Sequence, residues 1–297
     1  MKKALLFFLI ITAIFLGYSF RGNINLQNDP DGLQNEATSL VRVALVADSH
    51  NENELLAKAL EQAKGMGINF VIGLGDYTNL GTVEELRQAR EVFENSKLEY
   101  YLTAGDRDGW ESRGKGSDNF GEVFGKSSQI IERNGVQFVL LDNSNLYSGI
   151  SNQDWRLLEE TVRQRAKGDK DSNDSVSSGS SVTLPLVFVF AHKTPFHPDS
   201  SHVMGEDSAA VAEQAKELLG ILEGRGSRES QGSRGKAVDG FFSGDLHFFA
   251  RYQSPSKIVK MTTVGAVASE RNFQGPRFSV LTVYDDYSWE VEDVEIR

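Results

Sequence analysis

From Val41 onward, short apolar runs alternate with longer runs of helical spacing. "VRVALVA" (41–47), "NFVIGLG" (69–75) and "LEYYLTA" (98–104) are dense in β-branched, aromatic and other apolar residues and predict buried strands. Between them, "ENELLAKALEQAKGMG" (52–67) and "TVEELRQAREVFENS" (82–96) space their apolar residues three and four apart, as helices do. The first stops at glycine. The second opens on Thr82 as N-cap, with Glu85 completing a capping box. Strand, helix, strand, helix, strand predicts parallel pairing through crossover helices.

The same alternation continues. "QIIERN" and "VQFVLLD" flank an Asn-Gly turn, and a helix follows over 152–168. "LPLVFVFA" (184–191) is almost wholly apolar, as a central strand covered on both faces should be. A helix is expected over 207–223, and the chain from Ala237 to its end is strand-rich. Two Gly/Ser/charge-rich stretches, 168–182 and 224–237, break the pattern and read as surface loops. The arginines of the second offer a phosphate or partner patch, against the simpler reading of a solvated loop. No internal repeat is evident, and residues 41–297 read as a single α/β domain.

Residues 23–40 are polar and read as a linker. Before them, Lys2 and Lys3 precede 17 uncharged, mostly apolar residues (4–20) that end at Arg21. As a helix such a run spans about 25 Å, short of the roughly 30 Å hydrocarbon core of a bilayer. Residues 1–22 therefore read as a signal peptide or a short N-terminal anchor, without an A-x-A-type cleavage site to favour the first. Lysines ahead of the run favour an inside N-terminus. The domain is then expected outside the cytoplasmic membrane, tethered through residues 4–20 or secreted into the periplasm or medium.

The 297 residues carry a net charge of −11 and a pI of about 5.0. Such a field disfavours non-specific nucleic-acid binding, so a phosphorylated substrate, small or extracellular, needs a local cationic centre. The chain has no cysteine, which excludes disulfides and thiolate metal sites.

A Gly-Asp pair after a strand is ordinarily a turn, yet it occurs in "GLGDYTN" (73–79), "AGDRD" (104–108) and "SGDLH" (243–247). Open α/β sheets bind ligands at the carboxyl ends of their strands. There the sequence puts Asp48 and His50, Asp76, Asp106 with Arg107 and Asp108, His192, and Asp245 with His247. Singly, each is more simply a turn or structural residue. Jointly, four of these aspartates (48, 76, 106 and 245) and three of the five histidines converging on one edge would be an intolerable charge cluster unless cations sit among them. Asp/His donors without thiolate suit Mn, Fe or Zn in a two-metal site.

In order, D-x-H, G-D-x-x-N, a G-D where G-N-H-D would stand, a lone His and G-x-x-H resemble the calcineurin-like metallophosphoesterases, over residues 41–297. The resemblance implies a four-layer α/β/β/α sandwich and hydrolysis of a phosphomonoester or phosphodiester by a metal-bridging hydroxide. Carried over by position, it assigns Asp48, His50, Asp76 and His247 to one metal. Asp76 would bridge to a second, held also by Asp106, His192 and Asp245. Asn79, Arg107 and His197 would meet the substrate. Asp106 stands for the family's Asn and Asp245 for the first His of its G-H-x-H. Both keep a donor atom, but they harden the second site and favour Mn or ferric iron over Zn. Arg107 stands where the family has its general-acid histidine. A guanidinium cannot give up a proton at useful pH, though it can clamp a phosphate oxygen. Asp108 would orient it, and His197 is the candidate substitute acid. The expectation is a dinuclear phosphoesterase. The alternative is a metal-binding pseudoenzyme or phosphate-ligand receptor on the same fold, inactive through loss of that histidine.

Overall fold

In the computed structural model, which describes residues 37–174, 185–225 and 237–297, strand β1 (Ser39–Val46) sends Val43 and Leu45 to one face and Ala44 and Val46 to the other. Both faces are covered, which is why the run is apolar throughout. β1 pairs in parallel with β2 (Phe70–Leu74), and β2 with β3 (Glu99–Thr103), through the crossover helices α1 (Asn53–Gly65) and α2 (Val83–Ser96). The capping box forms: Glu85 N donates to Thr82 Oγ1 (3.2 Å) and Thr82 N to Glu85 Oε2 (3.3 Å). The short helix α3 (Asn119–Phe124), not anticipated from the sequence, adds Phe120 and Val123 to the α1/α2 layer.

The second sheet comprises β4 (Gln129–Arg133), β5 (Val136–Leu141), β6 (Leu186–Ala191), β7 (Gly240–Ser243), β8 (Ala250–Gln253) and β9 (Lys260–Thr263) in the order β4-β5-β6-β7-β9-β8. β5, β6, β7 and β9 run parallel, with antiparallel strands at both edges. Two late strands, β10 (Arg277–Tyr284) and β11 (Trp289–Glu295), return to the first sheet and complete it as β11-β10-β1-β2-β3.

The sheets face each other through Leu45, Ile72, Phe138, Phe190, Phe242 and Leu281. Phe190 and Phe242 stack with centroids 5.0 Å apart, and truncating either to Ala should cost about 3–5 kcal/mol. Leu60 of α1 and Phe93 of α2 cover the first sheet's outer face; Leu158 of α4 (Asn152–Asp174) and Leu218 of α5 (Ala209–Leu222) cover the second's. The layers are therefore α/β/β/α, within one compact unit spanning Ala37–Arg297.

Two boundaries differ from expectation. β1 starts at Ser39, inside the expected linker. The stretch 168–182 is not loop throughout, because α4 runs on to Asp174. Charge density does not end a helix, and its one early glycine, Gly168, costs only about 1 kcal/mol. Most of the second Gly/Ser-rich stretch, the apolar run 4–20 and nearly all of the linker lie outside the described residues. Among the described residues no helix is long and apolar enough to cross a membrane.

Candidate metal centre

Asp48 and His50 follow β1, Asp76 follows β2, Asp106 β3, His192 β6, and Asp245 and His247 β7. Five of these adopt left-handed backbone: φ is 54° at Asp48, 45° at His50, 54° at Asp76, 67° at Asp245 and 59° at His247. Asp and His tolerate this region better than most residues, but such conformations cost of order 1–3 kcal/mol and cluster at functional sites. Main-chain bonds hold them, with Asp48 N and His50 N donating to Gly75 O and Asp76 O, both at 3.0 Å. The recurring Gly-Asp pairs have a steric reason. A Cβ on Gly105 would lie 2.1 Å from Asp76 Oδ1, and one on Gly244 3.0 Å from Asp48 Oδ2. Glycine lets one carboxylate loop close onto the next.

The ligand atoms gather in three groups: Asp48/His50/His247, Asp48/Asp76/His192 and Asp106/His192/Asp245, each within 4.8 Å. His50 Nε2 and His247 Nε2 lie 3.1 Å apart. Asp76 faces both halves, with Oδ2 3.9 Å from His50 Nε2 and Oδ1 3.5 Å from His192 Nε2.

His192 supplies the test of fit. Its Nδ1 lies 2.7 Å from Leu74 O; a carbonyl only accepts, so Nδ1 carries the proton. Its Nε2 is fully buried without a hydrogen-bond partner and faces Asp106 Oδ1 (3.4 Å), Asp76 Oδ1 (3.5 Å) and Asp245 Oδ1 (3.6 Å). A lone pair aimed at three carboxylate oxygens is repulsive unless a cation stands among them. With no metal a proton takes that part: burial opposes the charge on His192, but the carboxylates outweigh it and raise its pKa well above the ordinary imidazole value. The donor set fits a divalent metal.

Burial dominates the other half. It raises Asp48 well above the carboxylate range, lowers His50, and with His50's help takes His247 to about 4. Both imidazoles are neutral at pH 7, the form that binds metal.

The two departures from the family pattern each have a basic neighbour. Lys193 Nζ lies 2.9 and 2.8 Å from the two oxygens of Asp245, and Arg107 Nε lies 4.0 Å from Asp106 Oδ2. Burial alone would raise Asp245. The hydrogen bond from His202 and the charges of His192 and Lys193 outweigh it, holding Asp245 well below the usual carboxylate range.

Above these groups opens a cleft of about 600 Å³, lined by Arg107 and His202 among others, within the range of small-molecule sites. Arg107 lines the cleft, and its backbone amide donates to Asp76 Oδ1 (2.8 Å). The other three substrate-side expectations need correction. Asp108 does not orient Arg107. Its Oδ1 accepts from Thr78 N (3.1 Å) and Thr78 Oγ1 (2.9 Å), and its Oδ2 from Gly105 N (2.9 Å), so it ties two loops together. Asn79 is exposed outside the cleft lining, its amide donating to His50 O (3.2 Å). His197 is buried away from the cleft. Thr194 Oγ1 pins the turn by donating to Phe196 O (2.8 Å), and the ring packs edge-on against Tyr252 (4.6 Å) and Phe248 (5.4 Å).

Besides the candidate ligands His50 and His247, the histidine that lines the cleft is His202. Its Nδ1 is 2.6 Å from Glu206 Oε2 and its Nε2 3.3 Å from Asp245 Oδ1. The bond to Asp245, helped by Glu206, raises its pKa to about 9. The only sequence signal was the His-x-x-x-Glu spacing of 202 and 206, in a stretch without periodicity.

A four-layer sandwich with carboxylates and imidazoles gathered at its strand ends is the architecture of a metal-dependent phosphoesterase. Residues 41–181 match the calcineurin-like phosphoesterase superfamily domain. Among solved structures it is similar to a dimetal phosphatase from Danio rerio, with 16% identity, TM-score 0.54, and 87% of this chain and 100% of that one covered. It is also similar to purple acid phosphatase PPD1 from yellow lupin, with 14% identity and TM-score 0.57. That match covers 86% of this chain and 51% of the lupin chain, so this chain spans about half the lupin protein's length. TT1561 of Thermus thermophilus matches at 8% identity and TM-score 0.52, covering 87% of this chain and 100% of that one. At these identities the likeness is one of fold. Comparison with curated proteins gives no match.

Proposed function

We propose that this domain hydrolyses a phosphomonoester or phosphodiester using two divalent metal ions, Mn or Fe ahead of Zn. The observation that carries the proposal is the buried Nε2 of His192 facing three carboxylates, one of which, Asp76, turns its other oxygen toward His50. When bound, such a metal pair supplies Lewis acidity and acidifies a water for attack on phosphorus. Asp48, His50, Asp76 and His247 would hold one ion; Asp76, Asp106, His192 and Asp245 would hold the other. Arg107 clamps a phosphoryl oxygen from the cleft wall and offsets developing charge. His202 replaces His197 as proton donor. Glu206 fixes its Nδ1, and its Nε2 stands at the cleft beside Asp245, in position to protonate a departing oxygen.

The test is turnover of p-nitrophenyl and bis(p-nitrophenyl) phosphate with added Mn, with metal content measured on the same samples. The expected result is close to two metal ions per chain and measurable turnover, both lost in Asp76→Asn. Metal bound without turnover would favour the phosphate-ligand receptor instead. Export belongs to the same proposal, supported by Lys2 and Lys3 ahead of the apolar run 4–20. Protease added to intact cells should digest the domain; full protection in a soluble cytosolic fraction would end that part.

A further inference from the structure

Among the described residues the exposed large aromatic side chains are Trp110 (46%), Tyr147 (62%) and Phe273 (80%). They gather at one place. Trp110 and Tyr147 line the cleft, and Phe273 packs on Phe248, which also lines it, with centroids 5.7 Å apart. Aromatic surface left in water around a concavity marks a contact site. Two guanidiniums accompany it: Arg107 Cζ lies 5.0 Å and Arg113 Cζ 4.9 Å from the Trp110 ring centroid, and Arg113 is also 5.9 Å from that of Tyr147. Arg113 is anchored, since Nη2 donates to Asp106 O (2.9 Å), which roots the stack on a loop carrying a metal ligand. Arg271 lines the same cleft. In a chain of net charge −11 this concentration of arginine is local and specific.

We infer that the cleft holds, beside the metal ligands, a subsite for the organic part of a nucleotide: a planar heteroaromatic ring together with a second anionic group. This rests on the phosphoester reading above and names its substrate class. Metal ions held as proposed above would engage one phosphoryl group and would not distinguish what it is attached to. An alkyl phosphate would leave Trp110 and Tyr147 in water, and an aryl phosphate without a second anion would leave Arg113 and Arg271 unused. A nucleotide with two phosphates uses both. Its terminal phosphoryl sits at the metal ligands, its inner phosphate meets the arginines, and its base stacks on the indole.

The test is equilibrium binding to the metal-loaded protein, followed by calorimetry and tryptophan emission. The three probes are α,β-methylene adenosine diphosphate, whose P–C–P linkage resists hydrolysis, methylene diphosphonate, and adenosine. The nucleotide analogue should bind about five- to a hundredfold more tightly than the diphosphonate, the range expected of one base stacked on an aromatic side chain. It should also quench tryptophan emission, and adenosine alone should bind weakly. Trp110→Ala should erase the advantage of the ring while diphosphonate affinity holds, and Arg113→Gln should weaken the analogue. Equal affinity for the two phosphonates, or an advantage that survives Trp110→Ala, would overturn the subsite. If no phosphoester is turned over but the Trp110-dependent preference remains, the hydrolytic reading fails and the subsite stands. Turnover of nitrophenyl esters without ring preference gives the reverse.

Discussion

The ammonium of Lys193 holds both carboxylate oxygens of Asp245, at 2.9 and 2.8 Å, with both side chains almost completely buried. Asp245 stands where the family pattern has a neutral histidine, so Lys193 cancels the charge that this replacement adds. Arg107, partly exposed and 4.0 Å from Asp106 Oδ2, offsets the other added carboxylate more loosely. The surplus of carboxylates legible in the sequence is thus offset locally, and a two-cation centre keeps a charge balance close to the family's.

A buried ion pair broken on one side leaves an uncompensated charge and costs about 3–5 kcal/mol. Lys193→Met should destabilise the metal-free protein by less than that, because His202 and His192 still face Asp245, while freeing Asp245 to serve a cation fully. Melting temperatures with and without Mn are the measurement. The metal-free variant should melt lower than the native protein and gain more on Mn addition. An unchanged metal-free melting temperature, or a smaller Mn-induced rise, contradicts the assignment.

Asp108 carries a pH prediction. Burial, with Asp76 nearby, raises its pKa to about 7, against about 3.9 in an unfolded chain. Between those values the folded state keeps a proton that the unfolded state has lost. The stability this group contributes is therefore fully present below about pH 4 and is lost as pH rises through about 7. Asp108→Asn should flatten the decline between pH 5 and 8, measured by denaturant unfolding of the metal-free protein. Its amide facing Gly105 N should also lower stability by about 1–3 kcal/mol. Parallel curves for the two proteins would show that Asp108 does not titrate there.

What could be read from the sequence followed from local rules. Thr82 and Glu85 specify a cap by spacing alone, and the unbroken apolar run at 43–46 predicts a buried strand, which the structure covers on both faces. The seven candidate ligands were legible because each follows a strand, and parallel strands deliver their ends to one edge. His202 and Lys193 were not. Their roles depend on the path of the 192–208 loop across the cleft, which carries no period, whereas the equally local His197 is turned inward by its own turn. Asp108 was misassigned because its partners, Thr78 and Gly105, belong to loops that meet only in three dimensions.

Arg107 offers the next check. Its guanidinium lies at the cleft wall and its amide is bonded to Asp76. If it holds phosphate oxygens equally in ground and transition states, Arg107→Ala should raise KM more than it lowers kcat. If it only neutralises Asp106, the variant should instead lose metal first. Steady-state kinetics beside metal content distinguish the two.

The last prediction concerns how the leaving group departs. Arg107 cannot give up a proton and His197 is buried outside the cleft, so the proposed mechanism gives proton donation to His202, whose Nε2 stands beside Asp245 at the cleft. General acid catalysis is typically worth about 10²- to 10⁴-fold, roughly 3 to 5 kcal/mol of barrier. A nitrophenolate departs readily as an anion and an alkoxide does not. His202→Gln should therefore slow alkyl phosphates by about that factor and barely touch nitrophenyl esters, while His197→Ala changes neither. The donor must be protonated, so alkyl hydrolysis should fall away on the alkaline side as His202 loses its proton. Glu206→Gln should move that alkaline limb to lower pH. Brønsted plots over a series of leaving groups, with pH profiles for each protein, make the measurement. A native plot as steep as that of His202→Gln would mean that the leaving group departs unprotonated and that His202 serves only to hold Asp245.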